Sequence, residues 1–219
     1  LPLAILATAL SAAAAADAKG ERTLNVAFIT DLHLGEHCNG DLSLEGCKSV
    51  RNFHDAVAHL PEISSKRFPL DGVFVSGDIT TSALREQFEK AREVLDAVQV
   101  PWWPLLGNHD AWSYEKHSDG SFTQTDTPTG DQEFAAVFGD VLSGAVDAEP
   151  KAKYWPTKPC RNGNYGYDSW FQNFEVTFEQ MPDLTFLAVD WVSRKNALPE
   201  PGVGPEVELH DFECGSFPW

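Results

Sequence analysis

The chain has 219 residues, of which 42% are hydrophobic and 11% aromatic, a composition that suits one folded domain with a sizeable core. Sixteen Lys and Arg residues against thirty-three Asp and Glu residues give a formal net charge of −17 at pH 7. This acidity argues against a surface for duplex nucleic acid, because Lys and Arg are needed to bind phosphates. It fits either simple solubility or carboxylates that hold cations. The sequence carries no signal for an oligomeric state.

Residues 1–18 are apolar and then Ala-rich, with small-x-small patterns of the kind that signal peptidase cleaves. We interpret them as the remnant of a secretory signal, and residues 19–219 as the N-terminal part of one domain, truncated at both ends. A short membrane anchor is the alternative. The apolar part is brief, however, and no other stretch reaches a transmembrane length, so no stable membrane insertion is expected. The predicted location is secreted or periplasmic.

Strands alternate with helices over residues 23–110. Three apolar runs, at residues 26–30, 73–76 and 100–106, have the composition of strands that are buried on both faces. Each pair of runs is separated by an amphipathic segment of helical period. This order predicts an α/β fold with a mainly parallel sheet flanked by helices.

The two amphipathic segments have clear apolar faces. The first opens at Ser49 and its periodicity ends at Pro61. The second carries an exposed pair of opposite charges, Glu86 and Lys90, one helical turn apart. The predicted buried positions are Val50, Phe53, Val57 and Leu60 in the first helix, and Leu84, Phe88, Ala91, Leu95 and Val98 in the second.

Beyond residue 110 the pattern is less regular. The sequence predicts a short helix around Phe134 and Phe138, a half-exposed strand at residues 174–178 and a buried strand at residues 184–189. Predicted loops are 151–167, rich in Pro, Gly and Asn, and the tail 199–219.

Polar residues follow each of the first three strands. They are Asp31-Leu32-His33, Gly77-Asp78 and Gly107-Asn108-His109-Asp110. Ligand sites of open α/β sheets lie beyond the carboxyl ends of the strands, so we expect the three endings to converge. Asp31 and His33 would point the same way in extended backbone, and Gly107 would let the chain turn. Oxygen and imidazole donors together suit zinc, iron or manganese.

These three blocks resemble the calcineurin-like metallophosphoesterase family, whose pattern is Asp-x-His, Gly-Asp, Gly-Asn-His-Asp or Glu, a separate His and Gly-His-x-His. The resemblance is close over residues 23–110 and looser over the strand at 184–190. It implies a βαβαβ core and two divalent or trivalent metal ions (Zn, Fe or Mn).

The resemblance also implies roles for single residues. Asp31 and His33 would bind the first metal, Asp78 would bridge both and Asn108 would bind the second. His109 would donate a proton to the leaving oxygen from just outside the metals, with Asp110 orienting its ring.

The implied reaction is hydrolysis of a small-molecule phosphomonoester or phosphodiester. Two cations would bind the phosphate oxygens, lower the pKa of a bridging water and stabilise both ends of an in-line displacement. The alternative is a non-catalytic protein that binds a metal or a phosphorylated ligand at an incomplete site. Aromatic side chains that could stack on a substrate are Trp102, Trp103, Trp112, Tyr114 and Trp155, although one of the first two is expected in the core.

The chain departs from the family pattern in two ways. Thr81 occupies a position where many relatives carry Asp or His, and no Gly-His-x-His is present. His117 and His210 are interpreted as surface residues, so the missing histidines are expected beyond the residues given. The remaining histidines are weaker candidates: His37, whose loop after the first motif would let it touch substrate, and His54 and His59 of the first helix, which would face solvent or pack.

The four cysteines fit an oxidising compartment. They are Cys38, Cys47, Cys160 and Cys214. Of the three possible pairings we favour Cys38 with Cys47, which would close a short loop directly after the first motif, and this leaves Cys160 with Cys214. A zinc site is a weaker interpretation because no Cys-x-x-Cys is present.

Overall fold

The computed structural model covers most of the chain between residues 23 and 192. Residues described with their side chains are 23–64, 69–112, 130–142, 173–190 and 192. Residues described by backbone conformation alone are 12–13, 114–116, 122–124, 143–144, 151–161 and 168–172. The predictions for His117, His210, the tail and the Cys160–Cys214 pairing lie outside these residues, as does most of the predicted signal segment, so they stay predictions.

The described elements alternate between strands and helices in the first half of the chain. In chain order they are β1 (Ala12–Ala13), β2 (Thr23–Leu24), β3 (Val26–Ile29), α1 (Lys48–Ile63), β4 (Gly72–Ser76), α2 (Arg85–Leu95), β5 (Trp102–Leu105), α3 (Asn108–Ala111), β6 (Tyr114–Lys116), β7 (Phe122–Gln124), α4 (Gly130–Gly144), β8 (Lys151–Arg161), β9 (Asp168–Thr177) and β10 (Thr185–Ala188).

Strands β3, β4 and β5 form the predicted parallel sheet, with β4 in the middle. Helices α1 and α2 supply the two crossovers that parallel neighbours require. Both crossovers step in the same direction across the sheet, so right-handed connections place both helices on one face, where they contact each other. The predicted α/β class is confirmed, and all three strands end at one edge of the sheet.

Helix α1 buries the four predicted apolar residues but is longer than predicted. It runs from Lys48 to Ile63, with Pro61 in its last turn. The amide of Ser64 donates to the carbonyl of Leu60 and closes the helix. Proline is tolerated here because it removes only one hydrogen bond close to the end of the helix.

Helix α2 buries Phe88, Ala91 and Leu95 as predicted, but three details differ. Val98 lies beyond the last residue of the helix and is only half-buried. Leu84 precedes the helix and is 41% exposed. Lys90 pairs with Glu93, three residues later, instead of with Glu86. Pairs three and four residues apart are both neighbours on a helix surface, and such exposed pairs contribute little to stability.

Helix α4 confirms the short helix predicted around Phe134 and Phe138, and extends it. Both rings are fully buried and lie edge-on to Phe88 of α2, at centroid distances of 5.9 and 6.0 Å. Phe138 also lies edge-on to Trp102 of β5, at 6.1 Å. Edge-to-face rings pack favourably, so α4 is held against both α2 and the sheet.

The other row of rings lies on β3, β4 and β5. Phe74 stacks on Phe28 at 5.3 Å and on Trp103 at 5.1 Å. Phe186 of β10 and Phe178, which follows β9, pack over this row. Trp102 and Trp103 therefore both belong to the core. Trp112 is also buried there, which removes it from the candidates for stacking on a substrate.

The antiparallel sheet corrects two predictions. Strand β8 occupies residues 151–161, where a loop was expected, and it pairs with β9. The prolines in this segment favoured the prediction of a loop. The register shifts between Thr157 and Cys160, and such irregularities accommodate a residue that cannot donate to the ladder. Strand β10 is an edge strand rather than a buried one, with Leu187 54% exposed.

Cys38 and Cys47 form the predicted disulfide, and both are buried. The bond fixes the loop after β3 to the residue that precedes α1. Among the residues described, none lies in a helix that is both long and apolar enough to cross a membrane.

The double substitution Cys38→Ser with Cys47→Ser should lower the free energy of unfolding by about 2–3 kcal/mol, the value that loop-closure entropy gives for so short a loop. Urea unfolding followed by tryptophan fluorescence measures it against the oxidised wild type. A double variant as stable as the wild type would show that the disulfide adds nothing to the fold.

Candidate metal centre

Two of the three polar segments are joined by backbone hydrogen bonds just past the strands. The amide of Asp31 donates to the carbonyl of Gly77 at 3.2 Å, and the amide of His33 donates to the carbonyl of Asp78 at 3.0 Å. Leu34 then donates to Ile79 at 2.9 Å. The ladder between β3 and β4 thus continues beyond the regular strands, and it carries the first and second motifs to the same place.

The third segment reaches this place through a contact between glycines. A β-carbon on Gly107 would overlap the backbone nitrogen and the Oδ1 atom of Asp78. The φ of Gly107 is −105°, which any residue can adopt, so the expectation that it serves as a flexible turn is corrected. Gly107 is needed for space. Gly77 has a φ of +85°, where glycine is favoured.

Three predicted ligands adopt the left-handed backbone conformation. The φ values are +56° for Asp31, +44° for His33 and +50° for Asp78. The expected extended backbone between Asp31 and His33 is therefore wrong, although their side chains do come together. Left-handed non-glycine residues cost about 1–3 kcal/mol each and concentrate at functional sites. The surrounding core holds them in place.

The side chains converge as predicted. The Nε2 atom of His33 lies 4.0 Å from Oδ1 of Asp31 and 3.9 Å from Oδ2 of Asp78. Ligand atoms of His33, Asp78 and His109 all lie within 4.8 Å of one another. Asp78 and His33 are 17% and 24% exposed, whereas Asp31 is 63% exposed at the rim.

This donor set fits a transition metal. The imidazole of His33 and the carboxylate of Asp78 are ligands that zinc, manganese and iron accept, and so small a set leaves coordination positions for other groups. Asp31 can add a second carboxylate from the rim. Asn108 is exposed at the first position of α3, directly before His109, and its predicted role as a ligand stays a prediction.

His109 lies beside His33 and Asp78, and its predicted role just outside the metals stays a prediction. Its ring is edge-on to that of His33, with centroids 4.7 Å apart. Its backbone amide donates to Oδ1 of Asp78 at 3.1 Å, and its Nδ1 atom lies 3.0 Å from the carbonyl oxygen of Thr81. Sequence reasoning noticed Thr81 only as a departure from the family pattern and missed this contact.

A comparison with protein families matches residues 24–205 to the calcineurin-like phosphoesterase family. The chain belongs to this family. Among curated proteins, a "3',5'-cyclic-nucleotide phosphodiesterase" of Nostoc sp. (strain PCC 7120 / SAG 25.82 / UTEX 2576) is 29% identical over 87 residues. That match covers 40% of this chain and 31% of the relative, so the chain spans about a third of the relative's length.

In this calcineurin-like phosphoesterase, the surroundings of Asp110 differ from those expected, because its side chain is fully buried. Its two carboxylate oxygens accept hydrogen bonds from the amides of Ile79, Thr80 and Gly107 and from the hydroxyl of Thr80. All four acceptor positions are used. The expected role of orienting the ring of His109 is therefore corrected, since Thr81 contacts that ring and Asp110 binds the loops together.

The charge of Asp110 depends on two opposing effects. Its pKa is raised to about 6, because burial outweighs the hydrogen bonds from Thr80, Gly107 and Ile79, which lower the pKa, and the nearby charge of Asp78 adds to the rise. The carboxylate is therefore ionised at neutral pH, which suits a group that only accepts hydrogen bonds.

The other described histidines lie away from the group. His54 is about half exposed beside Asp55, and the Nδ1 atom of His59 lies 2.7 Å from the carbonyl oxygen of Asp55. Both face solvent on α1, one of the two expected outcomes. His37 is 85% exposed in the loop after the first motif, and its contact with a substrate stays a prediction.

Gly107→Ala should destabilise the phosphoesterase by about 1–3 kcal/mol, because the added methyl overlaps Asp78 and forces two loops apart. Gly139→Ala is the matched control. A methyl at Gly139, inside α4, meets nothing within 4 Å and should stabilise the helix by about 0.5–1 kcal/mol. Urea unfolding distinguishes them, and equal stabilities would disprove the close approach.

Asp110→Asn should cost at least about 3 kcal/mol of unfolding free energy, because the amide offers a donor where backbone N–H groups need acceptors. Asp31→Asn is the control, because its side chain is 63% exposed and an exposed change costs little. Both are measured in chelator, so that loss of metal does not contribute. A small loss of unfolding free energy in Asp110→Asn would show that Asp110 does not link the two loops.

Proposed function

We propose that this chain hydrolyses phosphoesters with metal ions held by Asp31, His33, Asp78 and Asn108. The convergence of His33, Asp78 and His109, in a member of the calcineurin-like phosphoesterase family, carries the proposal. Two imidazoles and a carboxylate crowded within 4.8 Å without a cation would desolvate one another at a cost, and a metal removes that cost.

The proposed centre is dinuclear, with Asp78 as the shared ligand. Its position supports this role. One oxygen faces His33 at 3.9 Å, and the other accepts from the amide of His109, which orients the carboxylate. When bound, zinc, iron or manganese would act as Lewis acids on phosphate oxygens and on water.

His109 is proposed as the proton carrier. Its Nδ1 atom is engaged by the carbonyl of Thr81, so the chemistry of the ring belongs to Nε2. In the hypothesised reaction the doubly protonated ring donates the hydrogen on Nε2 to the oxygen of the departing alcohol and returns to the neutral Nδ1–H form. Asp110 takes no proton in this scheme, and its contribution is to keep Gly107 against Asp78.

We propose a phosphodiester as the first substrate class to test and a phosphomonoester as the second. The name of the cyanobacterial relative, a 3',5'-cyclic-nucleotide phosphodiesterase, favours the diester and adds a cyclic nucleotide to the panel. The proposal rests on that likeness and on the family, and assays on both classes of ester decide between them.

Asp78→Asn should lower metal content by more than half and turnover by more than about 100-fold, a larger loss than removal of a residue behind a metal ligand causes. Asparagine tolerates the left-handed backbone at this position, so the loss reports on the ligand and not on the fold. Elemental analysis is combined with assays on bis-p-nitrophenyl phosphate, p-nitrophenyl phosphate and cyclic AMP.

Asp183→Asn serves as the control, since Asp183 is exposed in a turn far along the chain from the motifs. It should leave metal content and turnover unchanged. Wild-type chain that binds metal but cleaves no ester would favour the alternative of a metal- or phosphate-binding protein. Wild-type chain that neither binds metal nor cleaves ester would overturn the proposed function.

A further inference from the structure

Thr81 contacts both histidines of the candidate metal centre and is itself 8% exposed. Its hydroxyl donates to the carbonyl of His33 at 2.8 Å. Its own carbonyl lies 3.0 Å from Nδ1 of His109. Its amide donates to the carbonyl of Leu34 at 3.0 Å. One residue of the second loop thus connects the first motif to the imidazole of the third.

The contact with His109 determines where the ring carries its hydrogen. A backbone carbonyl oxygen can only accept, so the hydrogen of a neutral ring must sit on Nδ1 to form this bond. The other nitrogen, Nε2, then carries the lone pair. A partner on one ring nitrogen is the usual means by which a protein selects the tautomer of a functional histidine.

The contact with His33 acts on the backbone. His33 has a φ of +44°, a conformation that a side chain of this size adopts only when other interactions hold it. Its amide is held by the carbonyl of Asp78, and its carbonyl is held by the Thr81 hydroxyl. Without the hydroxyl, one side of this strained residue loses its anchor.

We propose that Thr81 is a positioning residue that selects the Nδ1–H tautomer of His109 and fixes His33 beside it. The catalytic consequence rests on the proposed function, but the effect on the ring does not.

The test uses Thr81→Val, which keeps the shape and the carbonyl but removes the hydroxyl, and Thr81→Ser, which restores it. Because the hydroxyl anchors the Thr81 segment to His33, its loss should loosen the contact between the retained carbonyl and the ring of His109. Thr177→Val is the matched control, because the Thr177 hydroxyl contacts Thr185 on the antiparallel sheet, away from the three motifs. Nitrogen-15 NMR of the metal-free 219-residue chain, at a pH where imidazole is neutral, reports which ring nitrogen bears the hydrogen. A spectrum of His109→Asn assigns the His109 signals.

We expect the wild type, Thr81→Ser and Thr177→Val to show Nδ1–H at His109, and Thr81→Val to show a smaller Nδ1–H fraction. On the substrate that the wild type cleaves best, Thr81→Val should lower kcat about tenfold, the effect of removing a residue behind an active-site group. KM should stay within about twofold, because binding is not what the residue supports.

Two results would overturn the inference. One is a wild-type ring with its hydrogen on Nε2. The other is a Thr81→Val chain whose ring spectrum matches the wild type. If the wild type binds no metal and cleaves no ester, the proposed function fails, while the ring spectra still decide the role of Thr81.

Discussion

The geometry of the site depends on the buried carboxylate of Asp110. It accepts from the amide of Gly107 in its own segment and from Ile79 and Thr80 in the neighbouring one. The same two segments also meet where the amide of His109 donates to Asp78 and where its ring contacts the carbonyl of Thr81. Because the second segment is joined to the first by a backbone ladder, the buried carboxylate of Asp110 helps to hold all three together. Its burial costs free energy, which four hydrogen bonds offset.

The left-handed residues follow from the same arrangement. Strands β3 and β4 end side by side, yet the chain continues pairing for several residues while it turns toward the third segment. Asp31, His33 and Asp78 take the strain of that turn. The rings of Phe74 and Trp103 stack in the buried core on the strands that lead into this turn. The strain is stored where the side chains are needed, as the proposed chemistry requires.

Much of this could be predicted from the sequence, because buried parallel strands and amphipathic helices have strong periodic signals. The helices around Phe53 and Phe88, the convergence of the motifs and the Cys38–Cys47 bond are examples. The failures have physical causes. Prolines concealed strand β8, although it pairs with β9, the next strand along the chain. The role of Gly107 is steric and depends on Asp78, and neither effect is visible in a pattern of residue types.

Charge gives the last constraint. A net charge of −17 repels an anionic phosphoester at long range, and Asp31 and Asp78 would repel it at the site itself. Under the proposed function, cations at the centre would reverse the local sign. The metal centre would then contribute to substrate binding as well as to reactivity, because the anionic ester is attracted to the same cations that activate it.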